Sequence, residues 1–136
     1  MNNLLAAIMT KCSGSALSTD VGGRIYLDEA PARSTYPYVV FRIIAGAPQD
    51  TFKDLIEDTL IQFSLFSISE GAAEIADMYA DLKTLFDWQV FTITGDTCIQ
   101  VIRQGLATMF DNVTTPDGTV GVKHWAIDYS IMVQTT

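Results

Sequence analysis

The chain has 136 residues, 16 acidic against 8 basic, for a net charge of −8. Its isoelectric point is near 4.3, which disfavours any role resting on general attraction to nucleic-acid phosphates. Only 18% of residues are charged while 49% are hydrophobic; that balance excludes a disordered chain and leaves apolar side chains in excess for a small monomer, so some apolar surface is expected to meet a partner.

The length fits a single domain over residues 1–136, able to bury roughly two thirds of its unfolded surface without disulfide or metal staples. The apolar run Leu4-Leu5-Ala6-Ala7-Ile8-Met9 has no basic residue before it, so the positive start of a secretory leader is missing. Charge or glycine interrupts every other apolar stretch before the roughly 18 residues of a membrane span. No membrane association is expected. Cys12 and Cys98 have neither CxxC spacing nor a histidine cluster, which predicts reduced, buried thiols.

Along the chain, Leu4, Leu5, Ile8 and Met9 recur at helical spacing over residues 2–11, and Ser13-Gly14-Ser15 supplies a stop. Residues 19–37 read as a loop rich in Gly, Pro, Asp and Ser, with a short extended piece at residues 24–27. Residues 38–45, dense in β-branched and aromatic side chains on both parities, predict a central strand covered on both faces. After an acidic loop over residues 46–58, residues 59–66 predict a second strand, with Ile61, Phe63 and Leu65 on one face.

Ser67 followed three residues later by Glu70 matches a capping box, so a helix is expected from there through Asp87. Ala72, Ile75, Ala76, Tyr79, Leu82, Leu85 and Phe86 would form its buried stripe. Glu70, Glu74, Asp77 and Asp81 fall within roughly a 60° arc at about 100° per residue. A short strand over residues 90–94 and a longer one over 97–108 follow. Residues 111–119, with Pro116-Asp117-Gly118, read as a long hairpin loop, and residues 120–133 alternate Trp125, Ile127, Tyr129, Ile131 and Val133 against polar neighbours. The order predicts an α+β fold: a mostly antiparallel β-sheet with a short N-terminal helix and one longer helix packed on one side.

The inventory of reactive groups is thin. His124, the one histidine, lies on the polar parity of the last strand and reads as an exposed strand histidine. No phosphate-cradling glycine loop or nucleophile elbow is present. Asp50, Asp54, Glu57 and Asp58 lack the alternating ligands and central glycine of a calcium loop, and read first as a solvated loop. No metal or cofactor is expected, nor catalytic residues. The helical acids read as a solvated face, or else as a docking surface for a basic partner or a wall past which DNA slides without sticking.

Gly23-Arg24-Ile25-Tyr26 followed by Ala30-Pro31, and Tyr36-Pro37-Tyr38-Val39-Val40-Phe41, resemble the N-terminal half of the tail completion or tail terminator proteins of long-tailed bacteriophages. In that family a short helix leads through such a segment and a proline-rich loop to a strand, a polar loop, a second strand and an alanine-rich helix. Residues 61–67 look like the second strand and 72–85 like the helix, so the resemblance spans residues 1–87. Residues 88–136 share only the plan of a closing strand pair.

The resemblance implies a structural virion protein, assembled in the host cytoplasm. It forms a homo-oligomeric ring, commonly hexameric, at the head-proximal end of the tail tube. The ring halts tube polymerisation and docks the head connector or a neck protein, while DNA passes through the lumen without specific binding. Asp50, Asp54, Glu57, Asp58, Glu70, Glu74, Asp77 and Asp81 are then candidate partner-facing or lumen-facing acids. Three other readings compete: a head-completion or neck protein of the same particle, a small acidic protein-binding module, and a metal-dependent hydrolase using Asp50, Asp54 and Glu57.

Overall fold

A computed structural model describes residues 2–31, 34–48, 55–116 and 118–135. Helix α1, Asn2–Cys12, buries Leu4, Ile8 and Cys12, one residue per turn on a single side. It stops at Ser13-Gly14-Ser15 as expected, with Gly14 at φ +73°. Ser15 then starts a second helix, α2, Ala16–Asp20, by accepting the Ser18 N–H on its hydroxyl at 3.2 Å. This short helix replaces the beginning of the expected loop; five residues are too few to show periodicity, and Leu17 is its only buried side chain.

Strand β1, Ile25–Leu27, lies parallel to β2, Tyr38–Pro48. Arg24 Nε donates to the Pro37 carbonyl at 3.0 Å and ties the entry of β1 to that of β2. The Tyr36–Pro37 peptide is cis. Strand β2 pairs antiparallel with β3, Leu55–Ser67. The expected cover on both faces of β2 is overturned: Val39 and Phe41 are buried, Tyr38 and Val40 half-buried, and residues 44–48 exposed. Both strands run further into the acidic segment than the composition suggested, placing Glu57 and Asp58 inside β3. The mixed apolar parities reflect an open face carpeted by aromatic groups rather than a second layer.

The capping box does not form. Ser67 ends β3, where its hydroxyl donates to Glu74 Oε1 at 2.7 Å and accepts the Ser69 N–H at 3.2 Å. Helix α3 begins only at Ala73 and runs to Phe86, with no side-chain cap at Ala72. It buries Ile75, Met78, Leu82 and Phe86. Residues 90–94 form no strand, only a bridge from Ile93 to Asp96.

Strands β4, Asp96–Thr115, and β5, Gly118–Thr135, form one long antiparallel hairpin. The expected loop over residues 111–119 is instead strand closed by a tight turn: Thr115 pairs with Gly118, whose φ of +124° suits a residue without Cβ. The sheet order is β1-β2-β3-β5-β4, antiparallel throughout except for β1 with β2.

All three helices contribute to a core against one face of this sheet, so the α+β class with helices on one side holds. Phe63 sits at its centre, 4.9 Å from Phe86, 5.8 Å edge-on to Tyr129 and 5.9 Å from Phe41. Tyr129 donates to Asp87 at 2.5 Å, and Asp87 pairs with Arg103 at 3.3 Å, tying the end of α3 to β4 and β5. Burial, then Asp87, push the Tyr129 phenol well above its ordinary value. Cys12 is buried and Cys98 half-buried, both without disulfide; burial pushes Cys12 up to about 12. Among the described residues no helix is long and apolar enough to cross a membrane.

Candidate assembly surfaces

Side chains alternate across a strand, so the face of the sheet away from the helices carries the even-numbered residues of β5 and their cross-strand partners on β3 and β2. Row by row these are His124, Phe66 and Tyr38, then Ala126, Ser64 and Val40, then Asp128, Gln62 and Arg42. The first row is an aromatic ladder: His124 stacks on Phe66 at 4.3 Å, Phe66 on Tyr38 at 4.8 Å, and Tyr38 meets Tyr36 at 5.1 Å and Tyr26 at 6.1 Å. Val113 and Pro116, from the tip of the β4–β5 hairpin, and Asp28, Glu29 and Arg42 line the same groove, whose volume is about 740 Å³.

His124 is therefore not the exposed strand histidine its parity suggested. It is half-buried, its Nε2 has no hydrogen-bond partner, and burial pulls its pKa below 6.5 against the opposing pull of Asp111. Tyr38, desolvated first of all and next to Tyr36, is pushed up to about 12. No hydroxyl among the described residues lining the groove is hydrogen-bonded to His124 Nε2. Among the described residues no group of three His, Cys, Asp or Glu side chains is placed to hold a metal ion.

The eight acids singled out from the sequence do not form one surface. Asp50 and Asp54 lie outside the described residues. Asp58 is on the open face, accepting from Ser130, near Asp128, which accepts from Gln62 at 3.1 Å. Glu57, by register with Val133, takes the opposite parity, that of the core-facing residues. Glu70 is exposed ahead of α3, Glu74 is held by Ser67, and Asp77 is exposed. Asp81 meets Asp20 of α2, whose carboxyl is pushed up to about 6 by desolvation, a hydrogen bond with Asp81, and the charges of Asp81 and Asp77. The helical acids thus lie on the helix layer, one of them in a carboxyl pair that sequence spacing within α3 could not reveal.

Apolar residues that periodicity assigned to no surface are the other notable feature. From Arg103 to Thr114 every residue of β4 is exposed, including Leu106, Met109, Phe110 and Val113. Phe110 lies over Gly121 so closely that a side chain there would collide with its ring, yet it remains 62% exposed. Trp88, at φ +58° and 73% exposed, stands beside the start of the same strand, its N–H donating to the Val101 carbonyl at 3.2 Å. The signal for the arm was the apolar content of residues 105–115, masked by the Asp, Asn, Pro and Gly that made its far end look like a loop.

A family model described as tail completion protein gp17 matches residues 4–134. It thus takes in the closing strand pair that the sequence motifs left with only a shared plan. No curated protein sequence matches the chain. Among solved structures, a chain from the virion of a native gene transfer agent particle superposes at TM-score 0.60 and 14% identity, covering 95% of this chain and 94% of that one. A second solved chain superposes at TM-score 0.53 and 14% identity, with 96% and 94% covered. At such identities the likeness is one of fold.

Proposed function

The chain belongs to the tail completion protein gp17 family, a family of structural virion proteins, and on that premise we propose that it acts at the head-proximal end of a tail tube. There several copies form a closed ring, commonly six, that stops tube polymerisation and presents a surface to the head connector or neck. The chain works as one unit over residues 1–136. The match over residues 4–134 carries this reading. The exposed apolar arm of β4 supports it physically, since a closed cyclic interface buries two different patches of each subunit.

The net charge of −8 suits a ring through which DNA moves, because attraction to phosphate would trap the genome in transit. Asp50, Asp54, Glu57, Asp58, Glu70, Glu74, Asp77 and Asp81 are proposed to be shared between the lumen and the surfaces that meet partner proteins, Glu57 and Asp58 on opposite faces of the sheet. The proposed role is structural, and the open face offers it stacking and shape. The direct test adds gold-labelled chain to a mixture of separately purified heads and tails that lack it. Label at the head-proximal end alone is expected, whereas label on heads, or along the tube sides, would overturn the placement.

A further inference from the structure

A sheet edge left with unpaired backbone pairs readily with another chain unless charge, proline or a covering segment guards it. The region of β4 before Ile102 is covered, by the Trp88 N–H on Val101 and by the bridge from Ile93 to Asp96. Beyond it, among the described residues, no strand pairs with the outer side of β4. Residues 105–114 contain neither lysine nor proline, and Asp111 is their one charge. All ten are exposed.

The opposite side of the sheet has a matching gap. Strand β1 pairs with β2 only as far as Phe41, where the Asp28 N–H donates to the Phe41 carbonyl at 2.9 Å. Residues 42–47 of β2 continue with no described strand on that side, their one charge is Arg42, and Pro48, which has no N–H to offer, ends the open stretch. By register with Gln62 and Val122, Arg42 and Asp111 lie on the same, open face of the sheet. The two gaps are largely apolar, lie on opposite edges of the sheet and carry opposite charges, a complementarity that suits a head-to-tail contact between identical copies.

We infer that residues 105–114 of β4 pair with residues 42–47 of β2 in a second copy of this chain, joining the sheets into one continuous band. This rests on the ring reading and assigns its subunit contact. Burial of Leu106, Met109 and Val113 between copies would use the apolar excess, and Arg42 would meet Asp111 of the neighbouring copy.

The test uses the full chain, alone and bound to tail tubes, with oligomeric state read by sedimentation and fold by circular dichroism. Asp111→Arg and Arg42→Asp are each expected to weaken self-association at least about tenfold, and the double exchange to restore it. Met109→Lys, which guards the edge, should also weaken it. In the wild-type chain, amide hydrogen exchange over residues 105–114 should slow on assembly. Rings that form equally well from every variant, or an arm whose exchange does not change on assembly, overturn the edge pairing and leave the ring reading standing. A wild-type chain that stays monomeric and absent from tube ends overturns both.

Discussion

Phe63 packs against Phe41, Phe86 and Tyr129 with no exposed surface, so Phe63→Ala is expected to cost about 3–5 kcal/mol in denaturant unfolding. Trp125 shares its strand parity but is only half-buried, edge-on to Tyr79 at 5.9 Å. Trp125→Ala should cost about half as much on the same scale. Alternation told which way these side chains point; it could not tell how far the helix layer reaches over them.

His124 should titrate below 6.5 in a proton NMR pH series, because the stacked aromatic groove disfavours its charged form more than Asp111 favours it. A midpoint at or above 6.5 would place the ring in water. Asp20 behaves oppositely to a typical paired carboxylate: held near 6 rather than 3.8, it favours the fold in its protonated form. That contribution is complete below about pH 4 and is lost as pH rises through about 6. Asp20→Asn should remove this loss and raise stability at pH 7 by about 0.5 kcal/mol, the scale of exposed charge interactions. A loss between pH 4 and 6 that persists in Asp20→Asn would assign it to other groups.

At the scale of elements, β3 and β5 were legible because one buried face imposes a period of two on Ile61, Phe63, Leu65, Ile127, Tyr129 and Ile131. Helix α1 was legible from its own spacing. The start of α3 was not: Ser67 has the residue type of a cap, but its hydroxyl serves the end of β3 and reaches Glu74 rather than Glu70. Ser67→Ala is therefore expected to cost about 1 kcal/mol, and Glu70→Ala to stay within about 0.5 kcal/mol of wild type, by thermal or denaturant melting. Equal losses at both positions would reinstate the capping box. The far half of the hairpin was misread for a different reason. Turn-forming residues at its tip outweighed the apolar residues before it, and nothing local distinguishes a loop from a strand whose partner is its own return.

For the whole molecule, the net charge and the apolar excess were readable from composition, but their placement was not. Glu70, Glu74, Asp77 and Asp81, which spacing grouped, stay together on the helix layer while Asp58 lies on the open face, and the groove, the arm and the two bare edges arise only when β4 and β2 take opposite sides of the sheet. The motif at residues 23–41 pointed to a tail completion family, and the match over residues 4–134 extends that identity across the closing hairpin. The central claim, that copies of this chain end a tail tube, is tested most directly by polymerising tube protein with and without it and measuring tube lengths in negative stain. Tubes arrested in growth with one end closed by a ring are the predicted result; bare ends and unchanged lengths would contradict it.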